Sequence, residues 1–220
     1  MTGVWSIVVG AGTGSRFGGA KQYEELSGQR VVDRSVSAAA ALSDGVVVVL
    51  PVDDVADVGV RTAGAVEVVA GGATRSDSVR AGLAAVPDDV GIVLVHDAAR
   101  PLADPAVFER VLTAVRDGAA AAVPVVEVVD TVREVDGAVV DRSRLRVVQT
   151  PQGFDARVLR TAHAAGGEAT DDAALVEAAG GTVVLVAGDR ANLKVTEPLD
   201  LVVAGALLAA RGGDGGDSSS

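Results

Sequence analysis

Short β-branched runs alternate along this chain with longer stretches of helical spacing. Val4–Val9, Val46–Leu50, Val66–Ala70, Ile92–Val95, Ala119–Val125 and Thr182–Val186 read as strands, several apolar enough to be covered on both faces. Helices are expected over 31–42, from Thr74 or Ser76 to Val86, from Asp104 to about Arg116, over 155–165, after Thr170-Asp171-Asp172, and from Glu197 to about Arg211. This βαβ spacing predicts an α/β fold, a Rossmann-like and mostly parallel sheet flanked by helices. Residues 127–148 depart from it. There apolar and polar residues alternate on either side of Asp136-Gly137, a strong hairpin signal, so an antiparallel β-hairpin arm is inserted into the parallel design. Such an arm either packs on another copy of the chain, which favours a homodimer, or folds back as a ribbon onto its own domain.

The chain has 220 residues, 49% of them hydrophobic, enough for one sizeable core. One domain over 1–211 is expected, with a disordered tail over 212–220 made of Gly, Asp and Ser. No apolar run reaches the length of a membrane span, and no basic leader precedes the first strand, so the expected location is cytoplasmic, away from membranes. A formal charge of −11 argues against nucleic acid as a partner. Cysteine is absent and there are two histidines, which excludes thiolate chemistry and leaves too few soft ligands for a conventional zinc site. Of the 19 basic residues only Lys21 and Lys194 are lysines, and each is a candidate for work that needs a compact ammonium.

Candidate chemistry begins where the first strand ends. Glycines at 10, 12, 14, 18 and 19 form a loop that carries Arg16 and leads to Lys21, which suits a phosphate cradle: backbone N–H groups approach an anion and two cations neutralise it. The dinucleotide fingerprint and the Walker loop both fail on spacing. A second loop, Gly71-Gly72-Ala73-Thr74-Arg75-Ser76-Asp77-Ser78, follows another strand, as either a second binding loop or a strand-to-helix turn. After Ile92–Val95 comes His96-Asp97-Ala98-Ala99-Arg100-Pro101. Asp97 is placed either to hold a hard divalent cation or to pair with Arg100.

Taken together, Gly10-Ala-Gly-Thr-Gly-Ser-Arg-Phe17 with Lys21-Gln22-Tyr23, Gly71-Gly-Ala-Thr-Arg-Ser-Asp-Ser-Val79, Val95-His-Asp-Ala-Ala-Arg-Pro101, Pro124 through Asp130-Thr131, Gln149-Thr-Pro-Gln152, Thr170-Asp-Asp-Ala173 and Asn192-Leu-Lys-Val-Thr196 resemble the 2-C-methyl-D-erythritol 4-phosphate cytidylyltransferases. The resemblance spans all but the tail and implies a nucleotide-diphospho-sugar transferase type of sheet. It implies transfer of CMP from CTP to a polyol phosphate with release of pyrophosphate, with Mg²⁺ as cofactor. By the same resemblance, Arg16 and Lys21 are catalytic cations and Asp97 holds the metal. Ala11, Gly12, Gly14, Gly71, Gly72, Ser78 and Ala98 bind the nucleotide, with backbone carbonyls and the Ser78 hydroxyl as acceptors for the exocyclic amine of cytosine. Thr131, Arg142, Thr170 and Lys194 bind the second substrate, the first two delivered by the arm to the neighbouring subunit. A ribitol 5-phosphate cytidylyltransferase and a non-catalytic nucleotide-binding protein of the same fold remain alternatives. The sequence departs from the family pattern at Val9-Gly10-Ala11, at Ala20 in place of a proline, at Ala73 in place of an acid, and at Arg146 in place of a tryptophan.

Overall fold

The structure, a computed structural model, describes residues 3–12, 14, 17–55, 66–169 and 171–213. Its elements are β1 (Val4–Val9), β2 (Glu25–Leu26), β3 (Gln29–Arg30), α1 (Val31–Ala40), β4 (Gly45–Leu50), β5 (Val66–Ala70), α2 (Arg75–Ala85), β6 (Ile92–Asp97), α3 (Pro105–Arg116), β7 (Ala121–Glu127), β8 (Val132–Arg133), β9 (Val139–Val140), β10 (Arg146–Val148), β11 (Gln152–Asp155), α4 (Ala156–Ala164), α5 (Asp172–Ala178), β12 (Val183–Ala187) and α6 (Pro198–Gly213). Among the described residues eight strands form one sheet in the order β10-β7-β11-β6-β1-β4-β5, with β12 on β7. β6, β1, β4 and β5 run parallel, as the βαβ spacing predicts.

Both faces of this parallel half are covered. On β4, Val46, Val48 and Leu50 join a core with Val32 and Val36 of α1 and Phe108 and Val111 of α3. The intervening Val47 and Val49 join the opposite core, with Val79 and Leu83 of α2, Leu159 of α4 and Val176 of α5. Alternate residues of one strand thus supply two cores, which is why the run had to be apolar throughout. A third, smaller cluster of Leu26, Val31, Leu102 and Ala204 seats α6. Among the described residues no helix is long and apolar enough to cross a membrane.

Two features differ from the sequence reading. Gln152–Asp155 forms β11, an antiparallel strand between β6 and β7, so the sheet is mixed. Its four residues are too few for periodicity to register, and Phe154, fully buried there, is its one strong apolar signal. The arm is also shorter than the alternation suggests. β10 pairs antiparallel with β7 as part of the main sheet, and beyond it β8 and β9 pair over only two residues each around Asp136-Gly137. Val129, Val135 and Val139 stand exposed there, so within one chain the alternation has no core to face.

Candidate active site

The carboxyl ends of β1, β4, β5 and β6 converge. The backbone N–H of Gly10 donates to Val49 O (2.8 Å), Gly71 N–H to Leu50 O (2.8 Å) and Ala98 N–H to Val9 O (2.9 Å). Three loops leaving neighbouring strands therefore start side by side, the arrangement that in open α/β sheets forms the ligand crevice. A cavity of about 500 Å³ opens between them. Its lining takes in Ala11, Gly12 and Lys21 of the first loop, Gly72, Arg75 and Ser78 of the second, Asp97 and Ala98 after β6, and Lys194 from far along the chain.

Two glycines decide how the loops fit. Gly14 has φ +63°, and a Cβ there would lie 2.1 Å from Gly19 O, so the turn toward Lys21 closes only on glycine. At Gly71 a Cβ would fall 2.3 Å from that of Ala11, so only glycine lets the first two loops touch. Neither lines the cavity itself; both shape the loops that do. Lys21 opens a short 3₁₀ turn, Lys21–Tyr23, anchored by a 2.7 Å hydrogen bond from Tyr23 Oη to Asp54 Oδ2.

The second loop is held by a capping box at α2: Asp77 N–H donates to Thr74 Oγ1, and Asp77 accepts from Thr74 N–H. Thr74, one of the two candidates, is thus the N-cap. The Ser78 hydroxyl donates to Thr74 O (3.0 Å) and accepts from Gly72 N–H (3.2 Å). It is engaged in shaping the loop, with one lone pair left for a ligand.

Asp97 is the charged centre of the cavity. Its Oδ2 lies 2.6 Å from Lys194 Nζ and its Oδ1 3.7 Å from Arg75 Nε. Burial opposes its ionisation, but the Lys194 ammonium and Arg75 guanidinium outweigh it and hold the carboxyl well below the usual carboxylate range. The alternative pairing with Arg100 is not formed. The Arg100 guanidinium instead donates to Asn192 O (2.8 Å) and Val148 O (3.2 Å).

Those bonds are part of a lattice that brings Lys194 to Asp97. Asp97 N–H donates to Thr150 Oγ1 (2.9 Å), which lies 3.1 Å from His96 Nδ1, while His96 Nε2 is 3.2 Å from Arg100 O. Arg100 O can only accept, so neutral His96 carries its proton on Nε2 and accepts at Nδ1 from the Thr150 hydroxyl. Burial pushes His96 down to about 4, so it is a neutral structural imidazole. Asn192 Nδ2 donates to Thr150 O (2.9 Å), and Val195 N–H to Ala99 O (2.8 Å). Three motifs separated in sequence are thereby tied into one wall. The sequence reading assigned no role to Thr150, His96 or Asn192; their place inside the motif stretches was the available signal.

Arg16 and Thr170 lie outside the described residues. Thr131 and Arg142 are exposed on the arm and absent from the cavity lining; Arg142 donates to Val129 O and lines a separate groove with Glu127 and Arg146.

One carboxylate facing a roomy cavity suits Mg²⁺, which is commonly held through one or two acids and otherwise by substrate phosphates and water. No cluster of three or more acidic, His or Cys side chains exists among the described residues to form an all-protein cage.

The family model for 2-C-methyl-D-erythritol 4-phosphate cytidylyltransferase matches residues 4–210. The chain belongs to this cytidylyltransferase family. Proteins of that name from Rhodococcus jostii and Nocardia farcinica are each 47% identical, over 93% and 94% of this chain and 95% of theirs. The crystal structure of 2-C-methyl-D-erythritol 4-phosphate cytidylyltransferase from Thermus thermophilus is similar to this one with a TM-score of 0.80 at 38% identity, covering 94% of this chain and 98% of that one. The 4-diphosphocytidyl-2C-methyl-D-erythritol synthase from Anaerococcus prevotii superposes with a TM-score of 0.81 at 27% identity, over 94% and 99%. Of the seven motifs that carried the cytidylyltransferase resemblance, the four at 10–23, 71–79, 95–101 and 192–196 contribute to the cavity lining.

Proposed function

We propose that the protein transfers CMP from CTP to 2-C-methyl-D-erythritol 4-phosphate, giving 4-diphosphocytidyl-2-C-methyl-D-erythritol and pyrophosphate in the non-mevalonate isoprenoid pathway. The observation that carries this reading is the convergence of Lys21, the two glycine loops, Asp97 and Lys194 on one cavity.

A phosphate oxygen of the polyol attacks the α-phosphorus of CTP, and the bond between that phosphorus and the α–β bridging oxygen breaks as pyrophosphate leaves. Negative charge concentrates on the transferring group, so the protein contributes by positioning and by charge placed in advance. Backbone N–H groups of Ala11 and Gly12 receive the triphosphate in the loop that Gly14 closes, and Lys21 and Arg16 offset the charge at the α-phosphate. Gly72, Ser78 and Ala98 border the space for cytidine, and Gly71 lets the first two loops meet beside it. Asp97 would hold Mg²⁺, which supplies further neutralisation of the phosphates when bound. No nucleophilic side chain is required, in keeping with the absence of cysteine.

Lys194 faces the phosphate of the second substrate, and Thr170 is assigned to the same substrate by the family resemblance. Thr131 and Arg142 serve the cavity of the other subunit in a homodimer, in keeping with their exposure on the arm and their absence from the lining of their own chain's cavity. Pyrophosphate release from CTP, measured separately with 2-C-methyl-D-erythritol 4-phosphate and ribitol 5-phosphate, tests the assignment. Turnover with the first supports it; turnover with ribitol 5-phosphate alone, or with neither, overturns it.

A further inference from the structure

The motif Thr170-Asp171-Asp172 leaves two acids without a part in the proposed reaction. Asp171 caps α5, accepting from Ala174 N–H (2.9 Å). Asp172 does something else. It is fully buried, its Oδ1 lies 3.0 Å from Nε2 of the buried His163, and its Oδ2 lies 2.7 Å from Arg75 Nη1. Because Asp172 accepts from Arg75, the His163 bond is one in which Nε2–H donates to Oδ1. That bond aims Oδ2 at Arg75.

Arg75 is thus shared by two acids on unequal terms. It makes a short hydrogen-bonded pair with buried Asp172, whereas its 3.7 Å separation from Asp97 Oδ1 is too long for a hydrogen bond. Lys194 occupies the other oxygen, Oδ2. Without a competing acid, a guanidinium beside a carboxylate closes into a two-point contact. Arg75 closing on Asp97 would leave both of its oxygens cation-bonded.

We propose that Asp172 is a positioning residue which, by drawing Arg75 toward itself, keeps Oδ1 of Asp97 open to a divalent cation. Arg75 in turn neutralises an acid that could not otherwise be buried as a charge. His163 completes the device by fixing the direction of Asp172. This inference rests on Asp97 being the metal-holding acid.

The test is Mn²⁺ binding to the full chain in the presence of CTP, read from the electron paramagnetic resonance signal of free Mn²⁺. Asp97→Asn sets the reference for loss of the metal. Asp172→Asn is expected to weaken Mn²⁺ about tenfold, the scale typical for partners that orient metal ligands. Adding Arg75→Met to that variant is expected to restore the affinity, since the competing cation is gone. Urea midpoints measured on the same variants separate a purely structural role, in which the Mn²⁺ loss and its recovery follow folded stability, from positioning, in which Mn²⁺ affinity changes without it. Should Asp172→Asn fail to accumulate as folded protein, His163→Leu carries the same sign at about threefold, with the same rescue. Unchanged Mn²⁺ affinity in the Asp172 or His163 variant, or a loss that Arg75→Met does not reverse, overturns the proposal while leaving Asp97 in place. Unchanged affinity in Asp97→Asn overturns the metal assignment and this inference with it.

Discussion

Around the cavity, charged side chains are matched to partners within the same chain: Lys194 and Arg75 to Asp97, Arg75 to Asp172, Arg100 to carbonyls of Asn192 and Val148. On the arm, Thr131, Arg142 and Arg144 are exposed, as is Val135 at 98%. The two regions answer to different physics. Taking a charge out of water costs several kcal/mol unless a partner or hydrogen bonds compensate it, so the cavity wall has to be electrostatically complete in one subunit. Exposed side chains incur no such cost, so an arm can be shaped for a surface that another subunit supplies.

Mutations should divide along the same line. Phe154→Ala, on the buried strand β11, is expected to cost about 3–5 kcal/mol in stability by urea denaturation; a cost near zero would mean that β11 is not part of the core. Lys21→Ala should lower kcat about 100- to 1000-fold with the KM for CTP nearly unchanged, as removal of a group that stabilises developing charge does. An unchanged kcat in steady-state assays would return Lys21 to the status of a surface cation.

Acid sensitivity should also belong to the cavity wall. Burial holds folded His96 at about 4, below its unfolded value, so its contribution is complete above about pH 6.5 and disappears as the pH falls to 4. The loss is on the order of 3 kcal/mol in urea midpoints collected across that range, and His96→Gln should flatten it.

On the arm, Arg142→Ala should reduce kcat/KM for the polyol phosphate about tenfold while leaving CTP binding alone. Mixing that variant with Lys21→Ala should raise activity above either parent, because one cavity of the mixed dimer then has both residues. Failure to complement would mean that the arm serves its own subunit. Least affected should be the folding of the single chain in Val135→Asp, within about 0.5 kcal/mol. A larger loss at protein concentrations that keep the chain monomeric would show the arm packed on its own domain.

Much of this was legible before any coordinates. The parallel strands, the helices, the hairpin turn at Asp136-Gly137 and a cap at Thr74 or Ser76 all follow from local spacing. The glycine loops, Lys21, Asp97 and Lys194 could be picked out as candidates one by one. Missing were β11, too short to show a period, and the pairing of Arg75 with Asp172. Arg75 sits in a marked stretch, yet nothing local distinguishes it from Arg80, which pairs with Asp77 in its own helix at 2.5 Å.

What the sequence by itself determined is therefore periodicity, capping and turn chemistry, because those depend on neighbours a few residues away. Only the tertiary structure decided which charges meet. Asp97 is 97 residues from Lys194, and Arg75 is 97 residues from Asp172. A charge that must be buried takes whichever partner the packed strands and loops bring near, and that choice is made only once the sheet has closed.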